Sequence, residues 1–152
     1  MARKSKQQSF VFVSESTQHG GSVNLGKRKI ARPVATKRAM HVVLRSSRAR
    51  GAWSLLTLRN QKYLSKLLKQ SQDKFGVQVY SMANVGNHLH LVTKAKTQDG
   101  FSNFLRTVTA LLARHVTGAK KGEPQGKFWD GLAFTKVIEW GRHYQNLKNY
   151  IE

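Results

Sequence analysis

Gly86-Asn87-His88-Leu89-His90-Leu91-Val92 is the stretch whose reading decides the fold. Two histidines flank one apolar residue inside a short apolar run. In a β-strand the side chains alternate between faces with a period of two. His88 and His90 then project side by side from one face, and Leu89 and Leu91 enter a core from the other. Two imidazoles on one rigid strand form half of a divalent-metal site, provided other parts of the chain supply the rest. The plainer alternative is a solvated strand face with no chemical role, because short motifs match by accident.

Working outward, Val77 to Met82 alternates as a strand, Asn84 to Asn87 forms a turn, and His88 to Thr93 returns as the second strand of a hairpin. Upstream, Leu58 to Phe75 has Leu64, Leu67, Leu68 and Phe75 at helical spacing, with Gly76 as its stop. Met40 to Arg45 reads as a buried strand with Val42 and Val43 at its centre. Downstream, Gln98-Asp99-Gly100 reads as a turn. Phe101 to Val116 then carries a helical stripe of Phe101, Phe104, Leu105, Val108, Leu111, Leu112 and His115. Ala133 to Ile138 is a last strand. Trp140, Tyr144, Leu147 and Ile151 place a third helix at the end of the sequence.

The order strand, helix, strand, strand, helix, strand predicts an α+β domain of the split βαβ, ferredoxin-like type. An antiparallel sheet would carry two helices on one face. The histidines would stand on an inner strand, and the other face would be free for a ligand.

Among the 152 residues, 27 Lys and Arg face 7 Asp and Glu, a formal charge of +20. Such an excess attracts polyanions, and nucleic acid is the expected partner. No long apolar span or basic amphipathic helix points to a membrane. The chain has no cysteine, which excludes disulfides, cysteine-ligated zinc and thiol catalysis. That composition fits a cytosolic protein, and the apolar run Phe10 to Val13 is too short for a signal peptide. Residues 1–39 are basic, broken by Gly20-Gly21 and Pro33, and read as a disordered extension able to lie along nucleic acid. Phe10 and Phe12 could seat a short strand within it. Residues 40–152 form the domain.

At this point the residues resemble a family. Asn87-His88-Leu89-His90-Leu91 resembles the Pro-Asn-His-x-His-Leu signature of the single-tyrosine, histidine–hydrophobic–histidine transposases. These comprise the insertion-sequence-200-like enzymes and the REP-associated tyrosine branch. Phe101-Ser102-Asn103-Phe104-Leu105-Arg106 resembles the start of their second helix. Gly126-Lys127-Phe128-Trp129 with Phe134 and Val137-Ile138 resembles a segment of the REP-associated branch. Leu147-Lys148-Asn149-Tyr150-Ile151 resembles the helix that carries the nucleophile. Gly86 stands where the family has proline, a change a turn should tolerate.

The resemblance implies a catalytic domain over 40–152 that cleaves and rejoins single-stranded, hairpin-associated DNA. Tyr150 would be the nucleophile, forming a 5′-phosphotyrosine link and freeing a 3′-OH. His88 and His90 would hold Mg²⁺ or Mn²⁺, which polarises the scissile phosphate; imidazole suits Mn²⁺ better. In the family a Gln or Asn one helical turn after the tyrosine completes the metal site. That position falls past Glu152, so the expectation is either a truncated form or a third position filled by another group or by water. Helix position favours Tyr150 over Tyr144, which lies in the apolar stripe. Tyr150 lies near the line of His143 and Asn146. The expected location is the cytoplasm of a bacterium, at the nucleoid. The tyrosine helix would serve its own subunit or its partner in a homodimer.

Arg45, Arg48, Arg50, Lys94, Lys96, Arg106, Arg114, Lys120, Lys121 and Lys127 are the expected phosphate contacts, positioning DNA without reading its sequence. Phe128 or Trp129 would either stack on an unpaired base or pack in the core. His41 would flank the site or pack, and His115, at a helix end, would favour the cationic form. The rival reading is a non-catalytic single-stranded nucleic-acid-binding module on the same fold.

Overall fold

The computed structural model describes residues 17–139 and 141–151. Phe10 and Phe12 lie outside the described residues, as do Trp140 and the side chains of His143 and Ile151. The strands are β1 (Gln18–His19), β2 (Met40–Arg45), β3 (Val77–Asn84), β4 (His88–Ala95) and β5 (Phe134–Val137). The helices are α1 (Leu58–Phe75), α2 (Gln98–Thr117) and α3 (Arg142–Ile151). The sheet order is β1-β5-β2-β4-β3, with every pairing antiparallel. Without β1 this is the order expected of a ferredoxin-like sheet, and β4 is an inner strand.

Alternation makes the two faces different. Met40, Val42 and Leu44 of β2 and Leu89 and Leu91 of β4 are buried beneath α1 and α2. Phe101, Phe104, Val108 and Leu112 of α2 fill the same core. Each such side chain stabilises the fold by about 1.5–3 kcal/mol through removal from water. His41, Val43, His88, His90, Phe134 and Lys136 occupy the alternate positions and face the other way.

Gln98-Asp99-Gly100 is the first turn of α2 and not a separate turn. The Thr97 hydroxyl accepts from the Gly100 amide at 3.0 Å, an N-cap that draws the helix three residues upstream of the apolar stripe. Gly76 and Gly118 end α1 and α2 in the left-handed conformation, which costs glycine little.

Residues 17–39, assigned by composition to a disordered extension, are laid against the domain. β1 pairs with β5, and His19 is buried, its Nε2–H donating to the Ile30 carbonyl at 3.0 Å. Arg32 donates to the Ala133 carbonyl and the Thr135 hydroxyl. A basic composition conceals these contacts because they satisfy single polar groups and not an apolar stripe.

The second face is not left open. Tyr144 and Leu147 of α3 pack on Ala39, Val92 and Ile138, so α3 crosses the face that carries the histidines. No described helix is long and apolar enough to cross a membrane.

Candidate active site

His88 and His90 stand side by side on β4, with ring centroids 6.2 Å apart and planes 19° from parallel. This is the arrangement that period-two alternation dictates. Each ring has a partner that orients it. Asn87 Oδ1 lies 2.7 Å from His88 Nδ1. A carboxamide oxygen only accepts, so His88 Nδ1 carries the proton and Nε2 keeps its lone pair. His90 Nδ1 lies 3.2 Å from Nε2 of His41, on the neighbouring strand, and those two rings stack at 5.4 Å.

The environment favours the neutral form of His41 and His90. Burial, then the neighbouring His90 and then Lys136, lower the His41 pKa to about 4. Burial and His88 lower that of His90. Neutral imidazoles are ligands and hydrogen-bond acceptors; imidazolium is neither.

Tyr150 reaches the cluster from α3. Its ring meets His90 edge-on, with centroids 5.6 Å apart and an interplanar angle of 73°. The phenol is 74% exposed, unlike Tyr144 on the packed side of the helix. A cavity of about 280 Å³ lies alongside, lined by His41, Lys136, Ile138, Asn146 and Tyr150 among others. His41, expected to flank the site or pack, lies beside it, and Lys136, which the sequence did not single out, joins His88, His90 and Tyr150 there. The placement of His41 and Lys136 depends on strand register, which places Lys136 opposite His41 and Val43 opposite His90.

The remaining cations scatter. Arg45 is opposite His88 in register and pairs with Asp130 at 3.5 Å. Arg48 donates to the carbonyls of Gln125 and Lys127 at 2.8 Å and covers the Trp53 ring, so it braces loops. Arg50 is exposed ahead of a short 3₁₀ turn. Lys94 and Lys96 line a depression at the β3 side with Tyr80. Lys120 and Lys121 share a separate depression with Arg114 at the end of α2, and Lys127 donates to the Asp130 carbonyl. Arg106 is exposed on α2. Of the ten expected phosphate contacts, only Arg45 sits beside the histidines. Phe128 is buried in the core. His115 stacks on Tyr63, and burial and Arg59 disfavour its cationic form, against the reading from its helix-end position.

Among the described residues no three His, Cys, Asp or Glu side chains are grouped to hold a metal ion. His88 and His90 fit two ligand positions in chemistry and stand on one face of β4.

Glycine at position 86 is accommodated in the turn, in a conformation that only glycine takes readily. Gly86 has φ +91°, and a Cβ on it would meet Ser54 Oγ at 3.1 Å. Proline is fixed near −65° and cannot take that conformation.

The sequence profile described as transposase, IS200-like, matches residues 35–152. The chain belongs to that family. Two solved structures share its fold. One is a REP-associated tyrosine transposase bound to a REP hairpin, with TM-score 0.63 and 15% identity, covering 82% of this chain and 70% of the other. The second is a candidate transposase from Deinococcus radiodurans R1, with TM-score 0.50 and 17% identity, covering 82% and 95%. No protein of curated function matches the chain.

Proposed function

We propose that this transposase cleaves and rejoins single-stranded DNA flanking a hairpin, with Tyr150 as nucleophile. The observation that carries the reading is the meeting of Tyr150 with His90 across two elements far apart in sequence. An exposed phenol has no packing reason to stand against a histidine pair. The Tyr150 oxygen attacks the phosphorus, the P–O3′ bond breaks, and a 5′-phosphotyrosine and a free 3′-OH result. The phenolic proton leaves to solvent and the departing 3′-oxygen takes one up. Attack of a 3′-OH on the tyrosyl phosphate reverses the step, so the bond energy is conserved and no nucleotide triphosphate is needed.

His88 and His90 are the residues that would hold a divalent ion, Mn²⁺ or Mg²⁺, through their Nε2 atoms, and a bound ion supplies charge neutralisation at the phosphate. For His90 Nε2 to be free, Nδ1 must carry the proton and donate it to His41 Nε2. A neutral His41 suits that acceptor role. Lys136, beside Tyr150 in the same cavity, places a positive charge where the phosphate would lie. The hairpin partner is inferred from what the REP-associated relative binds.

Labelled single-stranded DNA carrying a hairpin, incubated with the protein and Mn²⁺, is expected to yield a denaturation-resistant adduct. Y150F should abolish it and H88A should reduce it steeply. Tight, salt-sensitive binding with no adduct, in a chain extended past Glu152 as well, would leave the non-catalytic module as the correct reading.

A further inference from the structure

A second cavity, of about 350 Å³, opens between α2, the end of β2 and the loop before β5. It is lined by Arg32, Arg45, Arg106, Leu105 and Trp129 among others. We propose that it binds one unpaired nucleotide of the DNA strand that enters the histidine site, with the phosphate on the arginines and the base against Trp129. The proposal rests on the transposase reading above.

Charge is the first argument. Arg32 is half-buried, and its donations go to two neutral groups, the Ala133 carbonyl at 2.6 Å and the Thr135 hydroxyl at 2.8 Å. Those bonds fix the guanidinium in place and leave its charge uncompensated. Among the described residues Arg106 has no ion-pair partner either. Arg45 has Asp130, but that carboxylate also accepts from the Ser47 amide and hydroxyl. A desolvated guanidinium without an anion is costly, and a phosphate is the anion its planar fork matches. Burial pulls the Arg32 pKa down, as expected where no anion compensates it.

Shape is the second argument. Trp129 is anchored, its indole N–H donating to the Thr109 carbonyl at 2.9 Å and its ring meeting Phe128 edge-on. An anchored indole at a cavity wall is a stacking surface that needs no ordering when a base arrives. A cavity of this size accepts one base and its phosphate. A duplex keeps its bases stacked inside, so only an unpaired nucleotide can enter. Position is the third argument: Arg45, opposite His88 in register, borders both this cavity and the histidine site, so a strand leaving the histidines passes it.

The test uses the ¹⁵N-labelled chain titrated with a short oligothymidylate, with thymidine 5′-monophosphate and with an abasic oligonucleotide. The Trp129 indole resonance, assigned through W129F, is expected to shift with the oligothymidylate and far less with the abasic strand. R106Q should weaken binding about 3- to 10-fold. It should also lower the salt slope by about 0.7, the value for one phosphate contact on a single strand. K69Q, on the exposed side of α1, is the control and should change the affinity less than R106Q. An unmoved Trp129 resonance, or R106Q indistinguishable from K69Q, overturns the proposal. Monophosphate binding as tight as the oligonucleotide overturns the assignment to a strand. The cleavage reading fails separately: absence of the Tyr150 adduct, in the native chain and in one extended past Glu152, with the Trp129 response intact sinks that reading and leaves the nucleotide site standing.

Discussion

The two faces of the sheet are built from the same strands and obey different rules. The face under α1 and α2 is a continuous apolar layer in which Leu89, Leu91, Phe101 and Phe104 are fully buried. The face under α3 holds a small apolar patch of Ala39, Val92 and Ile138, and beside it a line of imidazoles, Lys136 and an exposed tyrosine. Alternation along β2 and β4 delivers both. One face therefore carries the stability, and the other carries polar groups that contribute little to it and are positioned by it. Substitutions on the two faces should separate stability from chemistry.

The sharpest separation compares Phe104→Ala with Tyr150→Phe. The first empties a fully buried position and is expected to cost about 3–5 kcal/mol, a large share of the stability of a domain this size. The second removes one exposed hydroxyl. It should leave the melting temperature unchanged while eliminating the covalent adduct. A Tyr150→Phe protein that melts early would show that the α3 face also carries structure, and the contrast between faces would collapse.

Gly86→Pro comes next. The turn joins the hairpin whose second strand bears both histidines, and its φ of +91° excludes proline. We expect a loss of about 2–3 kcal/mol, typical of a forced backbone conformation, with His88 displaced. Measuring urea unfolding together with adduct yield reads both faces from one substitution. Unchanged stability would mean that the turn readily rearranges to the form its family usually has.

A smaller effect is expected at His41. If His41 accepts from His90 Nδ1, His41→Phe keeps the ring stacking and removes the acceptor. Mn²⁺ affinity, read by electron paramagnetic resonance, should fall about 10- to 100-fold, as for other groups that orient a metal ligand. His41→Gln, which retains an acceptor, should recover part of it. Equal affinities for all three proteins would reduce His41 to packing.

Much of this was legible in the sequence, for reasons that differ between the faces. Strand and helix order followed from Leu and Val periodicity, because burial of a whole face demands it. The histidine pair was legible because its geometry is local: residues two apart on one strand must share a face. Tyr150 needed the family resemblance, because only tertiary packing brings α3 to His90. Lys136 was illegible as a site residue, and His41 was legible only as a residue that flanks the site or packs. Their side chains reach His90 and Tyr150 through the registers of β2 with β4 and β5, and neither residue stands in a local motif. The start of α2 was misplaced for a simpler reason. Gln98-Asp99-Gly100 has turn composition, and the capping bond from Thr97 outweighs it.

A further predicted effect is on pH dependence, and its sign follows from the same burial that shapes the site. His41 titrates at about 4 in the folded protein, well below the ordinary 6.5. The unfolded chain therefore takes up its proton first, and stability contributed by neutral His41 is lost as pH falls from about 6.5 through about 4. His90 is shifted in the same direction and adds to the loss. The groups facing His41 are His90, Lys136 and Tyr150, and neither protonated His90 nor Lys136 can stabilise a second positive charge. The melting temperature should accordingly begin to fall near neutral pH, above the range where carboxylates titrate. In His41→Phe the profile should flatten between those two values while the core-face variant Phe104→Ala keeps the native slope. A native slope in His41→Phe would place the pH sensitivity outside the α3 face.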